Sequence, residues 1–455
     1  MKLTGLFGVA VAHAFLATFG FAAAAPADAA LWKAGAAAID ITPEGAVWMA
    51  GYGHRNKPSE GVSQHLFAKA LAIEDSVGTR MVMVTLDLIG VPKVLREEVE
   101  RVAGERHGLP PEAILLNASH THSGPSPYRR GVSDPAYYEK AEAYGKLLQE
   151  KVLRVIADAL AHTQPARLSY THARAGFAMN RRLRVGTEIR NSPNPDGPVD
   201  HDVPVLRVTD PEGKIRAILF GYACHNTTTD FYKINADYAG FAQAYLEETH
   251  PGAVALFMMG AGGDQNPYPR YASLDQAAQH GRTLANAVEA GLAVINPRPV
   301  QGPLRSAFGY ADMDFADTSR VDLERRARSR NAAEKKRAED LLKQLETQGE
   351  LPKSYPCPVQ VVHFGRDLTL VAIGGETTVE YSLRLKRELS SDFPAVWVAG
   401  YSNDVFGYLG SRRIIVEGGY EGYSANLARH PGPWATSTED RVIGKVYELS
   451  RSINH

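Results

Sequence analysis

Cysteine is nearly absent from the chain, since only Cys224 and Cys357 occur among 455 residues. One potential bridge excludes a scaffold that depends on several disulfides, and the lack of any CxxC pair argues against a zinc site built from thiolates. An excess of either charge is also missing, because 50 Lys and Arg residues face 51 Asp and Glu residues. Proteins that bind nucleic acids usually carry a basic excess, so we expect no nucleic-acid partner.

Long apolar runs are confined to the N-terminus. Lys2 precedes an apolar stretch from Leu6 to Ala25, and the small-x-small triplet Ala27-Asp28-Ala29 follows it. This order is typical of a secretory signal peptide, and an uncleaved membrane anchor is the alternative interpretation. We expect cleavage of residues 1–29 and a secreted or periplasmic protein. No later run approaches the length of about 18 apolar residues that spans a bilayer, so we expect no stable membrane insertion of the mature chain.

The remaining composition is that of an ordinary globular protein, with 44% hydrophobic and 22% charged residues. It excludes a disordered chain, and the 41 glycines lack the three-residue period of collagen. No linker divides the chain, so we expect one large domain over residues 30–455. Within it, the charged and proline-free stretch at about residues 318–350 predicts a solvated helical insertion.

Strand-like and helix-like segments alternate along the mature chain. Arg80 to Gly90 and Ala253 to Met259 are apolar enough to form buried strands. Lys93 to Gly108 and Tyr137 to His162 have the apolar spacing of amphipathic helices. The alternation predicts an α/β fold in which helices flank mixed β-sheets. In such folds ligand sites gather at the carboxyl ends of strands, and we expect the active site there.

Two histidines follow one of these predicted strands. The run Asn117 to Pro125 reads NASHTHSGP and directly continues an apolar segment. Residues two apart on an extended backbone point to the same side, so the imidazoles of His120 and His122 would face one site. Neutral imidazole is the commonest metal ligand in proteins. A hydrogen-bonded polar turn is the other interpretation of the pair.

His225 and Glu376 occupy similar positions after two further apolar segments, AILFGYAC and LTLVAIGG. Alone, His225 is consistent with a core histidine, and Glu376 with a carboxylate at a helix N-terminus. Taken together, three strand ends offer His, His and Glu. That composition matches a catalytic zinc site with an open coordination position.

A glycine-rich loop, Met259 to Pro267, follows the most apolar predicted strand. Glycines let backbone N–H groups approach a ligand closely, and such nests bind anions or oxyanions. The loop lacks the Lys-Ser/Thr pair of a nucleotide P-loop and the GxGxxG spacing of a dinucleotide site. A tight turn beneath the sheet is the alternative interpretation.

These motifs resemble the catalytic domain of the neutral/alkaline non-lysosomal ceramidases. His120 to Pro125 is identical to that family's HTHSGP motif. The resemblance extends from about Gly35 to about Tyr423 and includes further elements in the same order: Met83 to Asp87, Asn180-Arg181, Gly375 to Thr378 with Leu383-Arg384, Asn403 to Tyr408, and Tyr420-Glu421-Gly422.

The resemblance implies one zinc ion per chain, held by four ligands: His120, His225, Glu376 and Tyr408. It also implies that His122 contacts either the substrate or the metal-binding residues, without binding the metal itself. Arg181 and Tyr420 would contact the scissile amide or the released carboxylate. The chain departs from the family at one position, because Asn266 stands where the family has a serine that is regarded as catalytic. An amide side chain donates or accepts hydrogen bonds but is no nucleophile.

The sequence therefore predicts an exported zinc-dependent hydrolase of the ceramidase-like type. Its expected substrate is a small-molecule or lipid N-acyl amide, including a ceramide-like lipid, cleaved by water whose pKa the zinc lowers to about 7. His122 would move protons and Arg181 would orient the carbonyl. Asn266 and the N–H groups of Gly262 and Gly263 would stabilise the oxyanion, and Tyr420 would bind the polar head.

Two alternatives stay open at this point. The first is a metallohydrolase that acts on a non-lipid amide or ester, which a shallow polar pocket would favour over a deep apolar one. The second is a non-catalytic binding protein on the same fold. Its only support is the asparagine at position 266.

Overall fold

The computed structural model describes residues 32–129, 132–427 and 429–454. The predicted signal peptide, residues 1–29, lies outside these residues. Within them, no helix has the length and apolarity needed to cross a membrane. Cys224 and Cys357 are both buried and free.

The strands of the described residues are, in chain order, β1 (Trp32–Asp40), β2 (Phe67–Glu74), β3 (Arg80–Leu86), β4 (Ile114–Ala118), β5 (Gln164–Arg174), β6 (Ala178–Val185), β7 (Glu188–Asn194), β8 (Asp202–Thr209), β9 (Ile215–Tyr222), β10 (Val254–Met259), β11 (Gln265–Pro267), β12 (Arg298–Val300), β13 (Leu304–Asp314), β14 (Ser354–Phe364), β15 (Leu368–Ile373), β16 (Glu376–Thr377), β17 (Val396–Ala399) and β18 (Tyr408–Leu409).

The α-helices are α1 (Lys93–His107), α2 (Tyr138–Ala161), α3 (Asp237–Thr249), α4 (Leu274–Leu292), α5 (Arg320–Arg326), α6 (Ala332–Gln348), α7 (Val379–Leu389), α8 (Arg412–Glu417), α9 (Ala425–Leu427) and α10 (Thr438–Ser452). A π-helical turn, Tyr420–Ser424, lies between α8 and α9.

Two mixed sheets form the centre of the molecule. The larger has the order β10-β9-β8-β5-β1-β2-β3-β4, with β12 beside β5, and the smaller has the order β13-β14-β15-β17. Most neighbours are antiparallel, but β9 with β10, β3 with β4, and β15 with β17 run parallel. The predicted α/β fold with mixed sheets and flanking helices is confirmed.

The two sheets pack face to face because alternate side chains of each strand point to opposite faces. Leu71 and Met83 of the large sheet meet Leu370 and Trp397 of the small sheet in one apolar cluster. The intervening residues of the large sheet, such as Val84, face helices instead. Each sheet is therefore buried on both sides, which explains the continuous apolar runs in its strands.

Helices cover the two outer faces and complete an α/β/β/α sandwich. On the large sheet, α1 and α2 pack over β2 and β3, and α3 and α4 pack over β8, β9 and β10. On the small sheet, α7 and α10 pack over β14 and β15. Apolar residues on one stripe of each helix supply these contacts.

The charged stretch at residues 318–350 contains two helices, α5 and α6. Leu323 of α5 packs against Leu341 of α6 and against Leu351, which forms a small apolar cluster apart from the main cores. Ser319 caps α5 by accepting a hydrogen bond from the backbone N–H of Asp322. Most charged residues of this stretch are exposed, but Arg326 of α5 is buried.

Isolated bridges tie the carboxyl ends of strands in the two sheets together. Asn117 at the end of β4 pairs with Ser402, and Gly260 after β10 pairs with Ala399. The Asn117 side chain strengthens this junction, since its amide donates to the carbonyl oxygen of Gly400 at 2.8 Å and its oxygen accepts from the N–H of Met259 at 2.8 Å. The strand ends of both sheets thus share one edge of the sandwich.

Candidate active site

The four predicted metal ligands meet at this shared edge. His120 follows β4, His225 follows β9, and Glu376 and Tyr408 face each other across the parallel pair of β16 and β18. All four side chains are buried, with at most 5% of each residue exposed. Side chains that are distant in sequence are therefore brought together just after the ends of strands.

The distances between the donor atoms suit a metal site. Glu376 Oε2 lies 3.3 Å from His120 Nε2 and 3.6 Å from His225 Nε2. Tyr408 Oη lies 3.4 Å from His225 Nε2. Atoms about 2.0–2.1 Å from a tetrahedral zinc are roughly 3.3–3.4 Å apart. These three distances, together with two nitrogen and two oxygen donors, are compatible with one zinc ion.

Backbone carbonyls orient both imidazoles toward this point. His120 Nδ1 donates to the carbonyl oxygen of Ile89 at 2.6 Å, and His225 Nδ1 donates to that of Gly262 at 2.7 Å. A proton on each Nδ1 leaves the Nε2 lone pair free for a metal, which is the usual arrangement of histidine ligands. Burial, followed by the charge of Arg181, lowers the pKa of His225 to about 3, so this ring is neutral.

Glu376 supplies a second indication that a cation belongs here. Its Oε2 is buried and has no hydrogen-bond partner among the described residues, although a buried carboxylate oxygen normally has one. Burial alone would raise the pKa of Glu376, but His120, His225 and Arg429 hold it well below its usual range. The carboxylate is thus ionised and its free oxygen points at the two imidazoles.

The backbone at His120 differs from the prediction. We expected an extended chain through His120 and His122, but His120 has φ 64° and lies in the left-handed region. Its N–H donates to the carbonyl oxygen of Leu88 at 2.9 Å, which stabilises this uncommon conformation. The imidazoles still converge, because His120 Nε2 and His122 Nε2 are 3.1 Å apart.

His122 therefore offers a second way to complete a metal site. One ring nitrogen each from His120, His122 and His225 lies within 4.8 Å of the others. His122 Nδ1 is buried without a hydrogen-bond partner among the described residues. Burial, and then the charges of His120 and His225, lower the pKa of His122 well below its usual range. The ring is neutral and is able to accept a proton or to bind a metal.

A loop that the sequence analysis did not single out holds His122 in place. Gly51 has φ 100°, and a Cβ there would lie 2.6 Å from the His122 side chain, so only glycine fits. The ring of Tyr52 lies 4.9 Å from that of His122, and Arg55 donates to the His122 carbonyl oxygen. The GYG sequence at 51–53 was the available signal.

Arg181 connects the metal ligands to a buried network of charges. Its Nη2 donates to Tyr408 Oη at 2.8 Å, its Nη1 to Asn266 Oδ1 at 3.1 Å and its Nε to Glu421 Oε1 at 2.8 Å. Arg182 donates to the other oxygen of Glu421 at 2.6 Å. Charge-assisted bonds of this kind are strong and directional, so Arg181 is held rigidly beside Tyr408.

Sequence reasoning did not identify Arg182 and Glu421 as members of the site. Both are nearly inaccessible, with 4% and 1% of the residue exposed. Each is the immediate neighbour of a predicted residue, since Arg182 follows Arg181 and Glu421 follows Tyr420. The available signal was that an arginine in one motif and a glutamate in another each lie next to a predicted site residue.

The glycine-rich loop corrects one expectation. The N–H of Gly262 donates to the carbonyl oxygen of Gly260 at 2.9 Å and that of Gly263 to the carbonyl oxygen of Thr377 at 2.8 Å, so these two groups are not free to stabilise an oxyanion. A Cβ at Gly263 would lie 2.5 Å from the carbonyl oxygen of Glu376. The loop is a tight support beneath the ligands, and its glycines permit this close approach.

Asn266 lies behind the ligands with 1% of the residue exposed. Its Oδ1 accepts from Arg181, as given above, and lies 3.5 Å from the hydroxyl of Thr227. The asparagine therefore takes part in fixing the guanidinium. Tyr420 lies on the open side, with 46% of the residue exposed and its ring 5.3 Å from that of Tyr408.

A broad cavity of about 930 Å³ leads to these residues. Its walls include the ligands His120, Glu376 and Tyr408 together with His122 and Tyr420. Aromatic side chains contribute much of the remaining surface, namely Trp48, Tyr52, Tyr128, Tyr355 and Phe406. A cleft with aromatic walls and a few convergent polar groups is typical of a site for an organic ligand.

Comparisons with known proteins agree with this geometry. Residues 32–270 match the family model described as neutral/alkaline non-lysosomal ceramidase, N-terminal. The neutral ceramidase of Pseudomonas aeruginosa is 29% identical in an alignment of 260 positions that covers 53% of this chain and 38% of that protein. The neutral ceramidase of Mycobacterium tuberculosis is 24% identical in a gapped alignment of 495 positions that covers 90% of this chain and 76% of that protein.

A solved structure shows the same fold. The crystal structure of neutral ceramidase from Pseudomonas aeruginosa superimposes with a TM-score of 0.73 and 20% identity, covering 93% of this chain and 74% of that one. A second structure, described as a ceramidase complexed with C2, gives a TM-score of 0.70 over 92% of this chain.

Proposed function

The chain belongs to the neutral/alkaline non-lysosomal ceramidase family, and on this premise we propose that it is an exported zinc-dependent hydrolase of N-acyl amide bonds. The observation that supports the proposal best is the convergence of His120 Nε2 and His225 Nε2 on an ionised Glu376 whose Oε2 has no other partner. We assign one zinc ion to these residues and Tyr408.

Zinc held there would supply a Lewis acid that polarises an amide carbonyl and lowers the pKa of water. The protein's own part is to keep the donor atoms in the required form. The carbonyl oxygens of Ile89 and Gly262 keep the protons on Nδ1 of the two histidines, and the charge of Arg429 favours the ionised form of the Glu376 carboxylate.

We assign proton transfer to His122. Its Nε2 lies 3.1 Å from that of His120, at the wall of the cavity. A neutral imidazole at this position accepts a proton at Nε2 and returns it to the leaving amine. The Gly51 loop and the Tyr52 ring hold the imidazole in one orientation.

We assign electrostatic roles to the other predicted residues. Arg181 places a fixed positive charge beside Tyr408, where negative charge develops on the carbonyl oxygen during amide cleavage. Asn266 accepts one hydrogen bond from Arg181 and so holds this charge. Tyr420, which is half-exposed in the cavity, binds the polar part of the substrate.

The aromatic walls and the volume of the cavity support an acyl chain as part of the substrate, and a ceramide-like lipid is one such compound. The N-terminal pattern of Lys2, an apolar stretch and Ala27-Asp28-Ala29 supports export with cleavage of residues 1–29. The mature secreted or periplasmic enzyme would begin near residue 30. N-terminal sequencing of the mature protein tests this expectation.

A substrate panel tests the function. Purified protein is incubated with labelled long-chain ceramide, short-chain ceramide, N-acylethanolamine and a matched ester, with and without a zinc chelator. We expect zinc-dependent release of fatty acid from at least one amide and none from Glu376→Gln. Stable binding of amides without any hydrolysis by zinc-loaded protein would instead identify a non-catalytic binding protein.

A further inference from the structure

Arg429 is a cation at the cavity wall to which the reaction above assigns no contact with the substrate. It lies between α9 and α10, and 46% of its side chain is exposed. It lines the same cavity as His120, Glu376 and Tyr420. Its Nη1 lies 4.0 Å from Glu376 Oε1, which is too long for a hydrogen bond.

The cavity wall has two other cations, Arg55 and Lys93, and their partners differ from that of Arg429. Arg55 is buried and donates to three backbone carbonyl oxygens. Lys93 lies 3.7 Å from Glu97 on the same helix. Among the described residues, Arg429 has only the long contact with Glu376 as an ion pair. Because zinc would neutralise the charge of Glu376, the Arg429 guanidinium would be available to pair with an anionic group of a bound substrate.

The helical insertion fixes the loop that carries this arginine. Arg337 of α6 donates to the carbonyl oxygen of Arg429 at 3.3 Å, and the buried Arg326 of α5 donates to that of Pro431 at 2.6 Å. The N–H of Arg429 donates to Asn426 at 3.0 Å. A backbone held on both sides presents the side chain in a limited set of positions, which reduces the entropy lost on binding.

The aliphatic part of Arg429 also has a defined position. Its Cδ lies 3.7 Å from the point where a Cβ on Gly407 would be, directly before the proposed ligand Tyr408. Arg429 and Tyr420 both line this cavity.

We propose that Arg429 recognises an anionic group, a carboxylate or a phosphate, on the amine portion of the amide substrate. This inference rests on the proposed amidase function. The planar guanidinium matches both anions with paired N–H donors. In an N-acyl amino acid the carboxylate carbon is two bonds from the amide nitrogen, so the anion lies close to the scissile bond. Arg429 is similarly close to the proposed zinc site, since its Nη1 is 4.0 Å from Glu376 Oε1. The preferred substrates are thus charged N-acyl amines rather than neutral ones.

Non-hydrolysable analogues test the inference by binding. In sulfonamides the dodecanoyl group is replaced by dodecylsulfonyl, so that no amide bond remains. Calorimetry on zinc-loaded protein compares N-dodecylsulfonylglycine with its neutral glycinamide, and the phosphate ester of N-dodecylsulfonylethanolamine with the free alcohol. We expect each anion to bind about 10- to 100-fold more tightly than its neutral partner, as for hydrogen bonds to charged groups. The two pairs show which anion is preferred.

Three variants locate the effect. Arg429→Gln should remove the preference for the anion and change binding of the neutral analogues by less than about 2-fold. Arg337→Gln leaves the guanidinium of Arg429 in place but removes the hydrogen bond to the Arg429 carbonyl oxygen. It should therefore reduce the preference for the anion only partly. Arg154→Gln, on the surface of α2 in a pair with Asp158, is the matched control and should keep the full preference.

The outcomes separate this inference from the proposed function. Equal binding of charged and neutral analogues by the native protein overturns the role of Arg429. Loss of zinc from Arg429→Gln, or equal weakening of all analogues, also overturns it and shows that Arg429 serves to hold Glu376. Absence of any amide hydrolysis, with the anion preference intact, contradicts the amidase function and leaves the binding role of Arg429 supported.

Discussion

The guanidinium of Arg181 lies 2.8 Å from the phenolic oxygen of Tyr408, so a buried cation directly contacts a proposed metal ligand. Burial raises the pKa of Tyr408, and Arg181 opposes that rise. The same arginine is paired with Glu421, which in turn holds Arg182. The position of the Arg181 charge beside Tyr408 thus depends on Glu421 and, through it, on Arg182.

Glu421 should act as a positioning residue for Arg181. Glu421→Gln keeps the shape of the side chain but removes its charge, so two buried arginines lose their shared partner. We expect kcat/KM to fall by about 10- to 100-fold, mainly through kcat, while zinc content stays near one per chain. Glu421→Asp should restore part of the activity.

Glu417→Gln is the matched control, because Glu417 pairs with Arg182, Arg184 and Arg413 but not with Arg181. It should lose less than about 3-fold in kcat/KM, as expected for a partly exposed ion pair. Equal losses in both variants, measured by steady-state kinetics, would show that Glu421 contributes to the fold alone.

His120 and His122 should behave differently when replaced. His120→Ala removes a proposed ligand and should abolish stoichiometric zinc binding, as measured by elemental analysis after dialysis. His122→Ala should retain about one zinc per chain and lose about 10²- to 10⁴-fold in kcat, the usual contribution of a general acid–base. If His122→Ala loses zinc as completely as His120→Ala, the metal is held by the three histidines instead.

Asn266 should be important but not essential. Asn266→Ala removes an acceptor from Arg181, and we expect slow zinc-dependent turnover, reduced by about 10-fold or more. Asn266→Ser restores the residue type of the family at this position and should be active at a level near the native one. Kinetics of the three proteins on short-chain and long-chain amides provide the comparison. Activity confined to Asn266→Ser would show that a serine nucleophile is required.

His363 should make stability depend on pH. Burial, followed by the charge of Arg305, lowers its pKa from 6.5 to about 4, and its ring packs 4.5 Å from that of Phe393. Between these two values the unfolded chain binds a proton that the folded chain does not. The His363 contribution to the free energy of unfolding is therefore complete above about pH 6.5 and is lost as the pH falls toward 4.

His363→Gln should reduce the slope of the free energy of unfolding against pH by at most about 1.4 kcal/mol per pH unit. Urea unfolding of the native protein and the variant at several pH values between about 4 and 7 measures the difference. The zinc site titrates in both proteins, so it cancels from the comparison. Parallel pH profiles for the two proteins would show that folded His363 is protonated like the unfolded residue.

The positions of the ligands in the fold were accessible from the sequence because each follows a local signal. Apolar strands end just before His120, His225 and Glu376, and carboxyl ends of strands converge in α/β folds. Tyr408 has no such signal, and only the family resemblance indicated it. The α/β class was likewise predictable from alternation, whereas the face-to-face packing of two sheets depends on pairings between distant strands.

The supporting network was not accessible in this way. Arg181 and Glu421 are 240 positions apart, and no periodicity relates residues at that distance. The left-handed conformation of His120 depends on a hydrogen bond to Leu88, which a pattern of residue types does not encode. The glycine-rich loop has the composition of an anion-binding nest, but the N–H of Gly262 donates within the loop to Gly260 and that of Gly263 donates to the distant Thr377.

The central claim is that one zinc ion in the site of His120, His225, Glu376 and Tyr408 is required for amide hydrolysis. Its most direct test is a titration of metal-free protein with zinc while hydrolysis of an amide substrate from the panel is followed. We expect activity to rise from zero in proportion to added zinc and to reach its plateau at one equivalent per chain. Full activity in the metal-free protein, or no activity at any zinc level, would contradict it.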